Sequence, residues 1–354
     1  MGLHHSELPV EVLESLRKGG GVFPAHPLAL NERRELDLRR QRALSRYYFD
    51  AGASGLAVGV HTTQFAIREA GLYEPLLRFA AETARDWTDR PVFMIAGLCG
   101  RTAQALREAE VAVRLGYHAG LLSLAAMQGA SEDELINHCR RVAEQIPVVG
   151  FYLQPAVGGI VLGASFWRRF AAIDNVLAIK IAPFDRYRTL DVVRGVIEAR
   201  AEERITLLTG NDDHIVLDML TPYRFVRDGE PVTVRIEGGL LGHFCVWTRR
   251  AVEIVERVRR ARLEGAIDPS LVALDAAVTD CNGAFFDVAN GFRGCIAGLH
   301  EVLRRQGLFE GIRCLDPGEG LSSGQADEID RVYAAWPELN DDDFVAANLE
   351  RWLG

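Results

Sequence analysis

The feature that most limits what this chain can fold into is a repeat: eight short apolar runs, each parted from the next by a segment whose apolar residues fall at helical spacing. The runs are 22–25, 55–60, 91–96, 119–123, 148–152, 176–183, 205–209 and 239–244. They are too short for helices and largely apolar throughout, not alternating, which is how strands covered on both faces read. Between them lie helix-like segments at 37–51, 69–86, 102–115, 131–146, 164–172, 190–201 and 215–220. In the first, Leu38, Leu44, Tyr48 and Ala51 form the apolar stripe and Gly52 is a natural stop. A strand-helix unit of about thirty residues, repeated eight times, predicts an α/β protein of the (β/α)8 TIM barrel type. A doubly wound open sheet is the competing architecture. It would need a glycine-rich G-x-G-x-x-G or P-loop turn after an early strand, and the chain has none.

Two stretches fall outside a plain barrel. Residues 224–236 contain Asp228-Gly229 followed by alternating Val232, Val234 and Ile236, which predicts a hairpin. It sits in a helix-to-strand connection, on the face opposite barrel active sites, so packing or assembly is its expected role. After about Gly265 the pattern turns helical, with candidates at 288–305, 325–336 and 342–352. The expected organisation is therefore a lead at 1–20, a barrel at 21–265 and a docked helical extension at 266–354.

A net charge of -9, with arginines interleaved among glutamates as in Glu32-Arg33-Arg34-Glu35, argues against a nucleic-acid partner. No apolar run is long enough for a bilayer, and the polar start Met1-Gly2-Leu3-His4-His5-Ser6 lacks a signal-peptide core. That start fits an N-myristoylation pattern formally, with nothing basic or amphipathic in support. The expectation is a cytoplasmic protein with no membrane partner. Six scattered cysteines without C-x-x-C spacing suggest reduced thiols, with neither a zinc site nor a disulfide framework. No metal and no cofactor are expected.

Lys180 stands out against this background. It lies inside the apolar run Val176-Leu177-Ala178-Ile179-Lys180-Ile181-Ala182-Pro183, in a chain whose only other lysine is Lys18. An ammonium there is costly unless it is paired or loses its proton. Arginine could not lose it; a desolvated lysine can, and becomes a Schiff-base nucleophile. The bland alternative is a strand-end lysine that snorkels to water or pairs with a carboxylate.

Barrel chemistry sits at the carboxyl ends of strands and in the loops that follow. The candidates there are His61, Thr62 and Thr63 after strand two, Cys99 after strand three, Tyr152 ending strand five, Lys180 on strand six, Gly210 with Asn211, Asp212 and Asp213 after strand seven, and His243 on strand eight. Tyr152 and Lys180 fall on neighbouring strands, so phenol and amine are expected over one pocket, where the phenol could shuttle protons. The turn His61-Thr62-Thr63 could hold a carboxylate through hydroxyls and backbone N–H groups, or simply cap the next helix. Asp212-Asp213 reads most simply as a helix start. His26 and His243 read most simply as packing residues, and Cys99 as a buried thiol at the barrel mouth.

These residues resemble the dihydrodipicolinate synthase and N-acetylneuraminate lyase group of class I aldolases. His61-Thr62-Thr63 looks like the family's Gly-Thr-Thr-Gly-Glu turn, Ala178-Ile179-Lys180 like its Gly-Ile-Lys, and Gly210-Asn211-Asp212-Asp213 like its Gly-Asp-Asp. Tyr152 followed by Pro155 looks like its strand-five tyrosine motif. The resemblance implies a lyase, an aldolase or dehydratase, acting on a small 2-oxo acid such as pyruvate. Lys180 would form the imine, Tyr152 would relay protons, and Thr62 and Thr63 would hold the carboxylate, with His61, Gly210, Asn211 and His243 around the substrate. It also implies a homo-oligomer, a dimer or tetramer.

The departures are informative. Gln64 and Phe65 replace the Gly-Glu of the threonine motif. Leu153, Gln154 and Val157 stand where the synthase has residues leading to an arginine for a second carboxylate. Strand four ends in Ser123-Leu124-Ala125-Ala126, without the synthase's second tyrosine. These differences argue against the synthase itself and toward a more apolar substrate with a less charged or aromatic aldehyde portion. They also keep open a catalytically inactive family member that only binds a ligand or partner.

Overall fold

The computed structural model describes residues 2–17 and 21–354. Lys18 and the first two glycines of Gly19-Gly20-Gly21 lie outside the described residues, as does Met1. Strands β1 (Val22–Pro24), β2 (Gly55–Val58), β3 (Phe93–Leu98), β4 (Ala119–Leu122), β5 (Val148–Leu153), β6 (Val176–Ala182) and β7 (Thr206–Thr209) are followed by β8 (Tyr223–Arg227), β9 (Glu230–Val234) and β10 (Ile236–Leu241). All but β8 and β9 form one parallel sheet in the order β1-β10-β7-β6-β5-β4-β3-β2. The seam between β1 and β2 is closed by the bridge Ala25↔Ala57. There the His26 N–H donates to Ala57 O at 2.8 Å and the Ser54 N–H to Val22 O at 2.9 Å. The result is the (β/α)8 barrel, with every residue of β1 to β7 buried, as the uniformly apolar runs require.

Local signals set the helix boundaries. Asp37 caps the helix Leu38–Ala51 by accepting the Arg40 N–H, and Gly52 ends it at φ 104°, a left-handed value that suits glycine. Ser131 and Glu134 form a reciprocal capping box at the start of Glu132–Ala143. The last barrel strand differs from expectation. It begins at Ile236, and Gly242 turns to helical dihedrals, so His243 belongs to a short 3-10 turn beyond the strand and not to strand eight.

The hairpin forms where the Asp-Gly pair indicated. β8 and β9 are antiparallel, Arg227 pairs with Glu230, and Asp228 and Gly229 take φ values of 55° and 84°. Both positive values are what a two-residue type I′ turn demands. Arg227 fastens the hairpin to the barrel through Ile197 O and Glu202 Oε1, both at 2.7 Å.

The C-terminal helical region carries one long helix, Pro269–Phe285, that the periodicity did not single out. Its apolar and small residues run nearly all round, because it is packed between the barrel and later helices. The expected helix at 288–305 is instead a turn at Val288–Asn290 and a helix Cys295–Arg305, broken where Gly291 and Phe292 adopt φ of 65° and 66°. The last helix, Asp342–Leu353, lies on Leu38–Ala51, with the Tyr47 and Trp352 rings 5.4 Å apart. Among the described residues, no helix is long and apolar enough to cross a membrane.

A single buried hydroxyl ties this region to the barrel. Tyr47 donates to Asp341 Oδ2 and accepts the Thr248 N–H, both at 2.7 Å. Asp341 is 2% exposed and also accepts from Arg249 N and Gln306 Nε2. Tyr47→Phe keeps the ring, leaves the Thr248 N–H unpaired and takes one of three donors from Asp341, and a buried group left unpaired costs about 1–3 kcal/mol. Urea unfolding is expected to show a lower midpoint with an unchanged slope. An unaltered midpoint would mean that this junction does not hold the extension down.

Candidate active site

Strand alternation decides which side chains reach the barrel mouth. In the β5–β6 ladder Phe151 lies opposite Lys180, and Tyr152 opposite Ile181. Lys180 and Phe151 line the same cleft, and the Lys180 amine sits 4.5 Å from the centroid of the Phe151 ring. Tyr152 points the other way. Its ring packs 5.2 Å from Trp167, and its hydroxyl donates to Leu162 O at 3.0 Å and accepts the Leu162 N–H at 3.1 Å. The expected meeting of Tyr152 and Lys180 over one pocket is therefore corrected: phenylalanine, not tyrosine, faces the amine. A one-residue offset in a strand exchanges the two faces, and apolar spacing cannot distinguish two adjacent aromatics.

Lys180 is 7% exposed and, among the described residues, has no hydrogen-bond or ion-pair partner. Burial pulls its pKa below the ordinary lysine range, while Asp212 and, less strongly, Cys245 oppose that pull through their charge. Asp212 is shifted the opposite way, upward, again chiefly by burial. The two line the same cleft, and the charge of each acts on the other. Asp212 does not start a helix as anticipated. Its Oδ1 accepts the His243 N–H at 2.9 Å, and its carbonyl accepts from Asn282 Nδ2 at 2.7 Å. Gly210 makes room for the lysine: a Cβ there would lie 2.9 Å from Lys180 Cε and 2.7 Å from Ala182 Cβ.

The threonine turn serves the barrel seam as well as the cleft. Thr62 lines the cleft and donates its hydroxyl to Ala25 O. Thr63 is wholly buried and does not line it. Its Oγ1 donates to His26 O at 2.6 Å and accepts the Gly59 and Val60 N–H groups at 3.1 and 3.2 Å. His61 does line the cleft, and burial together with the Lys180 charge lowers its pKa to about 4, so the imidazole is neutral at physiological pH.

The remaining candidates are structural. Asn211 accepts the Phe184 N–H at 3.0 Å and donates to Asp218 Oδ2 at 2.8 Å. His243 turns its Nδ1 to Asn282 Oδ1 at 2.7 Å. His26 is held by Ser45 and Gln41, and Cys99 is a half-buried thiol, not the buried one expected, whose pKa desolvation raises to about 12. Sequence reasoning placed Asp212 at the barrel mouth, as a carboxylate in the loop after a strand, but read it as a helix start. It missed Phe151 and Phe184 as cleft residues, and Phe286, Phe292, Cys295 and Leu299, which the C-terminal region brings to the mouth.

Counting the solvent at its mouth, the cleft offers about 630 Å³ of space not filled by atoms. Its chemistry is that of an amine pushed toward its free form and a carboxyl pushed toward its acid form, each chiefly by burial. Reductive methylation with ¹³C-formaldehyde gives a spectrum simple enough to read, since the chain has two lysines. The Lys180 methyl signal is expected to titrate below the usual lysine value of about 10.4. Asp212→Asn removes the charge that favours the ammonium, so the midpoint should fall further. A midpoint that rises in this variant would contradict the assignment of Asp212 as the opposing charge.

Residues 18–222 match the model of the "Dihydrodipicolinate synthetase family". Among curated proteins, a probable 5-dehydro-4-deoxyglucarate dehydratase of Acinetobacter baumannii (strain AB307-0294) is 34% identical over 95 residues, 27% of this chain and 30% of its own length. An N-acetylneuraminate lyase of Citrobacter koseri is 26% identical over 197 residues, 54% of this chain and 63% of its own length. The chain thus spans less than two thirds of these curated relatives. Among solved structures, a monomeric dihydrodipicolinate synthase variant has a TM-score of 0.74 at 19% identity, covering 92% of this chain and 98% of that one. A prophage protein of the dihydrodipicolinic acid synthase family from E. coli K12, solved in complex with pyruvate, has a TM-score of 0.72 at 18% identity, covering 90% and 98%. At these identities the likeness is one of fold.

Proposed function

The chain belongs to the dihydrodipicolinate synthetase family, and from that premise we propose that it is a Schiff-base-forming lyase, an aldolase or dehydratase, acting on a small 2-oxo acid such as pyruvate. The observation that carries this reading is Lys180 itself: a buried amine with no hydrogen-bond partner among the described residues, lining an open cleft at the carboxyl end of β6. A depressed lysine pKa supplies the free amine that attack on a ketone requires. The carbinolamine then loses water to give the imine, which serves as the electron sink for reaction at carbon three.

The proton traffic falls to Asp212 in this reading. Its pKa is raised by burial, the environment that suits a carboxyl to both giving and taking protons near neutrality. Thr62 and the neutral His61 hold the oxo acid, and Thr63 holds the turn that carries them. Tyr152 supports the strand from behind. The proposal extends to a cytoplasmic homo-oligomer of two or four chains, the assembly that the family resemblance implies and light scattering can measure.

Borohydride reduction in the presence of pyruvate is expected to leave a mass adduct on the peptide containing Lys180, and none on that peptide in Lys180→Ala. Asp212→Asn should slow trapping by about 100-fold at neutral pH, within the range for loss of a general acid-base group. Tyr152→Phe should leave the trapping rate nearly unchanged. An adduct that persists in Lys180→Ala at other amines, or a collapse of trapping in Tyr152→Phe, would refute these roles. A second reading, ligand binding without turnover, is favoured by one observation: among the described residues no phenol faces the amine. An intact Lys180 adduct with no conversion of any aldol would support it.

A further inference from the structure

The cleft lining is mixed. The Lys180 amine, Asp212, His61, Thr62 and Gln154 supply its polar groups, and most of the other lining side chains are aromatic or aliphatic. Phe184, just after β6, and Phe292, from the C-terminal region, have ring centroids 5.9 Å apart at 60°, and Phe286 and Leu299 continue the surface behind them. Both leading phenylalanines are partly exposed in an otherwise closed core. Among the described residues no arginine and no lysine besides Lys180 lines the cleft, so no second cation there would pair with a second carboxylate. Beyond His61, Thr62, Gln154, Asp212 and the amine, the lining side chains offer few hydrogen-bonding groups to a polyol chain, whose hydroxyls would be buried without partners.

The wall is held in place at a cost. Phe184 and Phe292 have φ of 53° and 66°, a conformation bulky side chains rarely adopt. Such strain persists only where the surroundings fix it, and it gathers at functional sites. Here Asn211 Oδ1 accepts the Phe184 N–H at 3.0 Å, and Asp287 O accepts the Phe292 N–H at 3.0 Å. Asp287, itself at φ 55°, is 3% exposed and binds Gly294 N at 2.9 Å and Ser322 Oγ at 2.5 Å, which locks the loop.

We propose that Phe184 and Phe292 form a subsite for an aromatic ring, so that the aldehyde partner of the 2-oxo acid is an aryl aldehyde. The proposal rests on the Schiff-base reading of Lys180. Imine formation between the Lys180 amine and carbon two of pyruvate releases one water. Loss of a carbon-three proton gives the enamine, whose carbon three bonds to the aldehyde carbon as the aldehyde oxygen takes a proton. One water then hydrolyses the imine, freeing the amine and a 4-aryl-4-hydroxy-2-oxobutanoate. No electrons are gained or lost overall, and the reverse sequence cleaves the same bond.

Two measurements separate the subsite from the chemistry. Equilibrium binding of benzylidenepyruvate to Lys180→Ala, followed by its absorbance, needs no imine. It should be at least about tenfold tighter than binding of 2-oxoglutarate, and Phe184→Ala or Phe292→Ala in that background should weaken it about tenfold, as expected for lost ring contact and buried area. Phe184→Leu and Phe292→Leu, which keep apolar bulk, serve if the alanine variants fail to fold, and should also bind more weakly. In the wild-type protein, condensation of pyruvate with benzaldehyde should outpace that with succinic semialdehyde or glyceraldehyde. Equal binding of the phenyl and dicarboxylate ligands, or indifference to the phenylalanine substitutions, would overturn the subsite. Failure of pyruvate trapping alone, with ring binding intact, would instead overturn the Schiff-base reading and with it the aryl aldehyde condensation.

Discussion

The cost of burying one amine organises this structure. A charged ammonium removed from water loses several kcal/mol even after the protein relaxes. The contact with Phe151 at 4.5 Å returns only about 1–2 kcal/mol, so it cannot hold Lys180 charged by itself. The remainder must come from Asp212 or from loss of the proton. Asp212 is itself buried and disfavours its own charge. Neither charge fully stabilises the other, so burial pulls the amine and the carboxyl each toward its neutral form. Three further choices follow from this: the absence of a side chain at Gly210, which lets the lysine lie flat; the backbone N–H of His243, which fixes Asp212; and the apolar wall, which keeps the dielectric low enough for all of it to matter.

The C-terminal region is part of that arrangement. At the position where the resembled family has glycine in its threonine turn, this chain has Gln64, at φ 69°. Glycine would take that conformation without strain. The glutamine repays it by reaching out: its Oε1 accepts the Leu315 N–H at 2.6 Å, and Arg34 reaches Cys314 O nearby. The turn that carries Thr62 is thereby tied to the segment that follows the helix Cys295–Arg305, and Ser322 on that segment binds Asp287 behind Phe292. Seen alone, Gln64 is a bulky departure from a motif. In the structure it is a tether between the threonine turn and the phenylalanine loop of one cleft.

How much of this could be read from sequence follows from the range of each signal. Strand runs and helix stripes are local, and so the barrel, the Asp228-Gly229 hairpin and the helix stop at Gly52 were legible. Lys180 was legible because composition made it anomalous. The face that each strand residue presents is not local. Phe151 and Tyr152 are adjacent aromatics in an apolar strand, and only the pairing with β6, which shifts register after Val148, decides that Phe151 turns inward. Phe286, Phe292 and Leu299 were not legible at all, since nothing in their spacing says where a helical extension will dock.

The inward phenylalanine also explains why the proton work should move elsewhere. A phenol at that position could hydrogen-bond the amine; a benzene ring offers only the weak attraction of its face for the ammonium, and it excludes water. Excluding water deepens the desolvation of both Lys180 and Asp212, pushing their pKa values toward each other and so toward the working pH. Loss of one proton-carrying group thus strengthens the qualifications of another. On this view Phe151 and the distant Phe184 and Phe292 wall act in the same direction. They make the cleft a poor place for charge, and a poor place for charge is where a lysine becomes a nucleophile and a carboxyl becomes an acid.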